Sequence, residues 1–298
     1  TYCEQNSKKM GGVDVVKKKI EVMDIVAYTF LTLSALVILL PMMYVVTASV
    51  TSYEDMIRGG GIVLFPKSIN LDGYKSFLNN KQAFNAYRNT IFVTVVGTAL
   101  STILTILVAY PISRKDMPRR GLFTVFFFIP MIISGGLIPT FLVVKATCLT
   151  NTLWAMIIPD VISTFNLIIM KSFFQGLDTE YIEAARIDGA GEFKILFKIV
   201  VPLSLPVICT VLLFYGVSNW NTFYSAIYYV PDPNKQTLQV LLRNVIASSE
   251  FAALDVDVNA PSFTLKMAAV VLTALPIVVL YPFLQKYFIQ GVTLGGVK

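Results

Sequence analysis

The sequence predicts an all-α, polytopic membrane protein with six transmembrane helices and a cytoplasmic elbow between the fourth and fifth. Of its 298 residues, 55% are hydrophobic and only 14% are charged, whereas a soluble domain carries about 25% charged residues. The charges leave long apolar windows, each with room for the roughly 20 residues that cross a bilayer as a helix. A backbone inside lipid must satisfy its own hydrogen bonds, and the polar–apolar alternation of a membrane β-strand is absent from the sequence. Each window is therefore predicted to be helical.

The windows between charged residues define the six predicted spans. They cover approximately residues 25–50, 89–113, 121–145, 149–172, 200–229 and 266–288. Helix breakers interrupt several of them, such as Pro130 and Pro139 in the third span and Pro159 in the fourth. Such breaks occur in helices that open and close a pathway, and also where neighbouring helices absorb a kink. The sequence leaves both interpretations open.

The distribution of lysine and arginine predicts the orientation of the chain. These residues concentrate in the N-terminal arm and in the second and fourth connections between spans, which the positive-inside rule places in the cytoplasm. The long first connection fits this rule imperfectly, because it also contains several basic residues. We expect a cytoplasmic arm over residues 1–24, a transmembrane domain over 25–290 and a cytoplasmic tail over 291–298. A lysine-rich start that leads into a full-length span is not typical of a cleavable signal peptide.

Several classes of site are excluded by residue type. The sequence contains no histidine, and its cysteines, Cys3, Cys148 and Cys209, are scattered without a CxxC pair. No Cys/His metal site, disulfide framework or histidine-based acid–base catalysis is therefore expected. No GxxxxGK[ST] motif occurs, so the chain is not expected to hydrolyse ATP. The net charge of +6 is accounted for by basic cytoplasmic loops, and no nucleic-acid partner is expected.

The connection between the fourth and fifth spans has the pattern of two short helices. The stretch LDTEYIEAARIDGAG (177–191) can begin a helix at Asp178 or Thr179 and end it at Gly189. The following stretch EFKILFKIVVPL (192–203) places Phe193, Leu196, Phe197 and Val200 at helical spacing, which predicts one apolar stripe. The sequence therefore predicts a helix–turn–helix elbow over residues 178–199.

The composition of the elbow favours protein docking. Small residues at its corner let another surface approach the backbone, and Glu183, Arg186 and Asp188 offer charged contacts. The alternative is an amphipathic helix lying on lipid headgroups. Such helices favour basic faces, whereas the first half of the elbow is mostly acidic and is disfavoured at anionic lipid.

The spacing of the elbow resembles a known family. Glu183-Ala184-Ala185 is followed after three residues by Gly189, and after nine more by Ile199 and Pro202. This pattern resembles the EAA loop of binding-protein-dependent (MetI-like) ABC-importer permeases, with Val201 in place of leucine as the only departure. WNTF (220–223) resembles the sugar-type, MalG-related permeases. GGLIPTF (135–141), NLIIMKSFF (166–174) and TLQVLLRNVI (237–246) resemble their LplC/YtcP-like branch.

The resemblance implies a permease subunit of an ATP-driven importer of oligosaccharides or polysaccharide fragments in a bacterial cytoplasmic membrane. It implies three kinds of partner besides membrane lipid: a second homologous permease, two copies of a cytoplasmic ATP-binding subunit, and an extracytoplasmic solute-binding protein. ATP and Mg²⁺ would bind to the ATP-binding subunits, and no cofactor to this chain. The implied coupling residues are Glu183, Ala184, Ala185, Asp188, Gly189, Ile199 and Pro202.

A candidate substrate pathway lies in the fifth span, at Asn219, Trp220, Asn221 and Tyr224. Aromatic faces beside amide groups suit sugar rings, which offer both C–H faces and hydroxyls. An interfacial aromatic belt is the alternative, to which Tyr228 and Tyr229 are assigned. Asp160 is the only acid within a span. Its expected role is either that of a functional group or that of the cap of a helix that resumes after Pro159.

Two other interpretations remain open at this point. The same scaffold could import a polyol, an amino acid or a peptide. A polytopic membrane enzyme would need clustered catalytic groups near an interface, and the acids cluster only in the elbow.

Overall fold

The computed structural model of the chain describes residues 22–252 and 263–296, except positions 59, 61, 62, 64, 67 and 134. Most of the predicted N-terminal arm and the last two residues of the predicted tail lie outside this part. Throughout the described residues the regular structure is helical and no strand occurs, which confirms the predicted all-α class.

Fourteen α-helices follow one another along the described chain, joined by short 3₁₀ and π turns. They are α1 (Val22–Val50), α2 (Tyr53–Arg58), α3 (Asp72–Leu78), α4 (Lys81–Ser113), α5 (Arg120–Ile132), α6 (Leu137–Ala146), α7 (Thr164–Gln175), α8 (Glu180–Ile187), α9 (Glu192–Ile195), α10 (Val201–Leu203), α11 (Leu205–Trp220), α12 (Tyr224–Tyr229), α13 (Leu238–Ala252) and α14 (Phe263–Gly296).

Three of the described helices, α1, α4 and α14, are each long and apolar enough to cross a membrane. Two bent pairs raise the number to five if each is one crossing: α5 with α6, bent by 119°, and residues 192–203 with α11, bent by 85°. Both breaks follow from the sequence. Gly136 adopts a φ of +80° between α5 and α6, and Ser204 lies between Pro202 and Pro206, which cannot donate helical hydrogen bonds. The described residues thus hold three to five candidate spans.

The predicted fourth span, residues 149–172, is not one continuous helix. It contains a 3₁₀ turn at Leu153–Met156 and turns around Pro159, and α7 starts only at Thr164. Proline removes a backbone donor and disfavours helical geometry in the residue before it, which explains the interruption. Ser163 precedes α7 at the capping position. Asp160, which is exposed, therefore does not cap this helix, so the capping role, one of the two that the sequence left open for it, is wrong.

Helix α4 is the centre of the packing. It packs against α11, α7 and α13, while α14 packs against α1, α3 and α11. Small and hydroxyl side chains line its buried face, including Thr90, Gly97, Ser101 and Thr105, and such residues let helices approach closely. One buried cluster joins α4 and α7 to the elbow and α11, so the elbow rests on this centre.

Candidate functional site

The first half of the elbow forms the helix that the sequence predicts. The Asp178 carboxylate accepts a hydrogen bond from the backbone N–H of Glu180 at 3.1 Å. At the other end Gly189 has a φ of +75°, its N–H donates to Arg186 O at 3.0 Å, and the N–H of Ala190 donates to Ala185 O at 2.9 Å. This pair of bonds is a Schellman motif, which needs a left-handed residue at the position of Gly189. The predicted stop of α8 at Gly189 is confirmed.

The second half of the elbow differs from the predicted apolar stripe. Helix α9 passes into a π turn at Leu196–Val200 before α10. Leu196 and Val200 are buried as predicted, but Phe193 and Phe197 are 74% and 53% exposed, and Ile195 is buried instead. The buried stripe is thus centred on Ile195, Leu196 and Val200, and it is rotated about the helix axis relative to the predicted one. The two phenylalanines therefore lie on the outer surface of the elbow.

The residues of the EAA pattern lie mainly on the surface of the elbow. Glu183, Ala184, Asp188, Gly189 and Pro202 are exposed, whereas Ala185 and Ile199 are half-buried. Beneath them the buried side chain of Ile182 joins the cluster that includes Tyr110 and Phe174. One face of α8 thus anchors the elbow while the other leaves the acid and the small residues accessible.

Arg186 connects the elbow to α4. Its Nη1 lies 2.8 Å from Asp116 Oδ2, in the connection after α4, and its Nη2 lies 2.7 Å from Glu192 Oε1 at the start of α9. Tyr110, in α4, donates its hydroxyl to Glu192 Oε2 at 2.6 Å. Arg114 completes the group, with Nε 3.4 Å from Asp116 Oδ1. These residues, named the Arg186 network below, join three separate parts of the chain.

The hydrogen bonds of the network lower the pKa of both carboxyl groups. The hydrogen bond from Arg186 lowers the pKa of Asp116. For Glu192 the hydrogen bond from Tyr110 is the largest cause of a lowered pKa, followed by the contact with Arg186. Both acids are therefore charged at neutral pH, which maintains the ion pairs.

The sequence alone does not indicate this network. It suggests Arg186 as a contact for a partner, but both ends of the guanidinium are occupied within the chain. The available signal was weak: Asp116 is the single acid in a short, otherwise basic connection that holds Arg114, Lys115, Arg119 and Arg120. Its pairing with a residue 70 positions away depends on tertiary packing.

Two clefts lie on either side of the Arg186 network. A mostly apolar cleft of about 540 Å³ is lined by residues including Leu107, Met117 and Phe193. A more polar cleft of about 510 Å³ is lined by residues including Lys115 and Glu183. Arg114, Asp116 and Arg186 line both clefts, so the ion pairs of Asp116 with the two arginines border two open spaces.

The four predicted pathway residues have different environments. Trp220 is only 6% exposed, and its indole N–H donates to Thr273 O at 3.3 Å. Asn219 is half-buried and donates to Thr98 Oγ1 at 3.2 Å. Asn221 and Tyr224 are exposed. Since its indole is enclosed by the chain, Trp220 packs between helices rather than lining an open surface.

The aromatic residues that follow also separate into two environments. The rings of Tyr224 and Tyr228 stack with centroids 6.1 Å apart, and both side chains are exposed. Tyr229 is 5% exposed and packs against Phe141, so it does not belong to the exposed aromatic belt to which the sequence assigned it. Tyr224 and Tyr228 form the accessible aromatic surface of this segment.

Comparison with known proteins identifies the family. Residues 97–294 match the model of the family described as "Binding-protein-dependent transport system inner membrane component". The chain belongs to this family. It is a multi-pass inner-membrane permease component of an ABC importer and not a catalytic subunit, as the resemblance predicted.

Two curated relatives and one solved structure align with nearly the whole permease. It is 40% identical to the polygalacturonan/rhamnogalacturonan transport system permease protein YtcP of Bacillus subtilis (strain 168), over 92% of this chain and 98% of the relative. It is also 40% identical to protein LplC of the same strain, over 93% and 95% of the two chains. A chain from the crystal structure of a bacterial ABC transporter that imports the acidic polysaccharide alginate matches with a TM-score of 0.82 and 30% identity, over 91% and 98%.

Proposed function

We propose that this permease imports oligosaccharides released from polysaccharides, and that carboxylated chains are its main substrate class. The observation that carries the proposal is the 40% identity to the polygalacturonan/rhamnogalacturonan permease over almost the full length of both chains. The matching alginate importer also handles an acidic polysaccharide. These relatives favour a saccharide over the polyol, amino acid or peptide that the sequence left open.

The proposed membrane arrangement has six crossings with both termini in the cytoplasm. The domain bounds stay as predicted: an arm over residues 1–24, the transmembrane domain over 25–290 and a tail over 291–298. We assign the fourth crossing to the interrupted segment 149–163 together with α7. Its irregular backbone would have to lie against protein or water, because lipid cannot satisfy it. The positive-inside distribution of lysine and arginine supports the elbow as a cytoplasmic feature.

The proposed assembly contains this chain, a second homologous permease, two cytoplasmic ATP-binding subunits and an extracytoplasmic solute-binding protein. Closure of the ATP-binding subunits on ATP would tilt the docked elbows and turn the helices from an inward-open to an outward-open state. The binding-protein-dependent family supports the last partner. The absence of a P-loop motif from this sequence supports ATP hydrolysis by other subunits.

Docking is proposed to use the exposed surface of the elbow. Glu183 would pair with a basic residue of the ATP-binding subunit, and the small side chains of Ala184 and Ala185 would allow close approach. Gly189 would set the turn through its left-handed backbone, with Asp188 beside it, and Ile199 and Pro202 would lead the chain into α11. The exposure of Glu183 and Gly189 supports this assignment.

The proposed substrate pathway passes the segment 219–224. Asn221 and Tyr224 are accessible and can supply an amide and an aromatic face to a sugar ring, with Asn219 half-buried behind them. We assign Trp220 a supporting role, because it packs inside the chain. Of the four predicted pathway residues, the proposal therefore keeps as substrate contacts only those whose side chains a substrate could reach.

The docking proposal is tested with a matched pair of glycine variants. Gly189→Ala forces a side chain onto a φ of +75°, whereas Gly191 has a φ of −71° and open space at its Cβ position. Gly189→Ala should abolish transport while the protein still inserts in the membrane, and Gly191→Ala should transport normally. Glu183→Ala should behave like Gly189→Ala, with the exposed Glu180→Ala as its control. Normal uptake by both Gly189→Ala and Glu183→Ala would refute docking through the elbow.

Two further measurements test the assembly and the substrate class. Purification should yield an ATPase and a second permease in fixed ratio, and a stable, active chain on its own would refute the proposed assembly. The cognate solute-binding protein should bind galacturonate or alginate oligosaccharides more tightly than neutral arabino-oligosaccharides in calorimetry. Stronger binding of the neutral sugars would refute the carboxylated substrate class while leaving the importer intact.

A further inference from the structure

We infer that Arg186 is a positioning residue of the elbow, which ties α8 and α9 to the end of α4 so that movement of the elbow reaches α4 directly. This inference rests on the proposed docking of the elbow to an ATP-binding subunit. It assigns a role to a residue that lies between the acid and the glycine of the EAA pattern.

Two structural connections can transmit movement from the elbow to the rest of the protein. The covalent route runs from α9 through the π turn and α10 into α11, with a bend of 85° at Ser204. The second route is the Arg186 network, in which one guanidinium holds Asp116 at 2.8 Å and Glu192 at 2.7 Å. Because Glu192 also accepts the Tyr110 hydroxyl, this route reaches α4 itself as well as the connection behind it.

Apolar packing attaches the elbow to the protein but leaves the region around Arg186 open. Ile182, Ile195 and Leu196 are buried in the cluster shared with α4 and α7. The clefts of about 540 and 510 Å³ lie on both sides of the Arg186–Asp116 pair. Arg114, Asp116 and Arg186 line both clefts, so directional hydrogen bonds contribute to the orientation of α8 relative to α4 at this point.

The chemistry of the Arg186 network is better suited to orienting the elbow than to stabilising the fold. An arginine presents a planar fork of donors that can satisfy two carboxylates in fixed directions, which the point charge of lysine cannot reproduce. The side chains of Arg186, Asp116 and Glu192 are 37%, 51% and 51% exposed, and ion pairs this exposed contribute little to stability. Removal of the guanidinium should therefore leave the fold intact and alter mainly the transmission of movement.

Movement delivered to α4 would reach the proposed pathway. Helix α4 packs along α11, and the Cβ position of Gly97 lies 3.0 Å from the amide nitrogen of Asn219. Asn219 donates to Thr98 of the same helix. A displacement of α4 would therefore act directly on Asn219, at the start of the segment 219–224.

The test uses the whole transporter, reconstituted in liposomes with its ATP-binding subunits, partner permease and solute-binding protein. The readouts are the ATPase rate stimulated by loaded binding protein and the number of substrate molecules imported per ATP. Arg186→Gln should keep assembly and stimulated ATPase activity but lower import per ATP by roughly five- to tenfold, which lies within the usual range of coupling between sites. Arg186→Lys should restore only part of this loss.

A double-mutant cycle and a charge control distinguish the proposed effect of the Arg186–Asp116 ion pair from other effects of changing Arg186. Asp116→Asn should lower import per ATP, and Asp116→Asn combined with Arg186→Gln should be no worse than Arg186→Gln alone, because both remove the same contact. Lys115→Gln makes the same change of charge as Arg186→Gln at an exposed site in the same connection as Asp116, and should have no effect. Additive losses, or an equal loss in Lys115→Gln, would overturn the inference.

The remaining outcomes distinguish this inference from the proposed function. If Gly189→Ala and Glu183→Ala abolish transport while Arg186→Gln imports the normal amount of substrate per ATP, docking through the elbow is supported and the positioning role of Arg186 is refuted. If Arg186→Gln fails to retain the ATP-binding subunits, Arg186 contributes to assembly and the positioning role is also refuted. If all three variants transport normally, the docking proposal fails and the inference fails with it.

Discussion

Helices α1 and α4 are alike in length and in peak hydropathy but differ in their surroundings. They have 29 and 33 residues, and their most apolar 18-residue windows have mean hydropathies of 2.2 and 2.3. No residue in the most apolar part of α1 is buried within the chain, whereas 39% of the corresponding part of α4 is. Hydropathy therefore indicates that both can enter a membrane, but not what each will contact there.

The difference lies in the size of the side chains along one face. The buried face of α4 carries small and hydroxyl residues, and α11 approaches so closely that a Cβ on Gly97 would meet the Asn219 amide nitrogen at 3.0 Å. Exposed positions of α1 carry large side chains such as Leu36, Ile38 and Leu39. Small residues permit close helix–helix packing in a membrane, and large apolar ones suit lipid or a partner subunit.

The largest expected effect is at the close contact between Gly97 of α4 and Asn219 of α11. Gly97→Leu should destabilise the protein by about 3 kcal/mol, because the added side chain pushes α11 away from a packed interface. Thermal unfolding of the purified chain in detergent would measure this. Val95→Leu, at a position 62% exposed on the same helix, is the control and should unfold at the wild-type temperature. Equal melting of the two variants would show that α4 and α11 are not in close contact.

A buried polar group gives the next largest effect. The Tyr215 hydroxyl lies 2.8 Å from Thr105 Oγ1 and accepts from the N–H of Ser163 at 2.9 Å, which links α11 to α4 and to the start of α7. Tyr215→Phe should cost about 1–2 kcal/mol, because two buried groups lose their partner. The exposed Tyr228→Phe is the matched control in the same denaturation assay. A loss as large in the control would contradict the assignment.

The ion pairs at the end of α4, which faces the cytoplasm in the proposed orientation, should make the stability of the protein weakly dependent on pH. The pKa values of Asp116 and Glu192 are lowered from 3.8 and 4.5 by the Arg186 network. Their stabilising contribution is therefore complete above these ordinary values and is lost as pH falls through the lower pKa values of the folded protein. We expect less than about 1 kcal/mol, as for other exposed ion pairs. The difference in melting temperature between wild type and Arg186→Gln should shrink as the pH falls below 4.5. A difference that stays constant down to strongly acidic pH would exclude this contribution.

The smallest effect is expected on α1. Leu36→Met and Leu39→Met, at positions 52% exposed, should change the stability of the isolated chain by no more than about 0.5 kcal/mol. The same variants should then be compared in the assembled transporter. A larger loss in the assembly than in the isolated chain would show that a partner subunit, rather than lipid, covers this face of α1.

The elbow shows how far sequence reasoning extends. Its first helix, its stop at Gly189 and the exposed acid at Glu183 follow from local rules of capping and backbone conformation, and the structure contains the helix and its stop. The exposure of Phe193 and Phe197 was not predictable from α-helical spacing, because the face of the elbow that packs against α4 and α7 is set by tertiary contacts. The fourth span was predicted as one helix from its apolar composition, although Pro159 already interrupted it.

By itself the sequence determined the all-α class, the apolar segments, the turn at Gly189 and the family, because these depend on composition, local backbone preference and spacing within a short stretch. Only the tertiary structure decided that Arg186 binds Asp116, that Trp220 packs inside the chain and that α4 is central while α1 is exposed. These facts depend on which distant residues meet. The free energy of such contacts comes from the shape and charge of two surfaces, which no single segment of the chain contains.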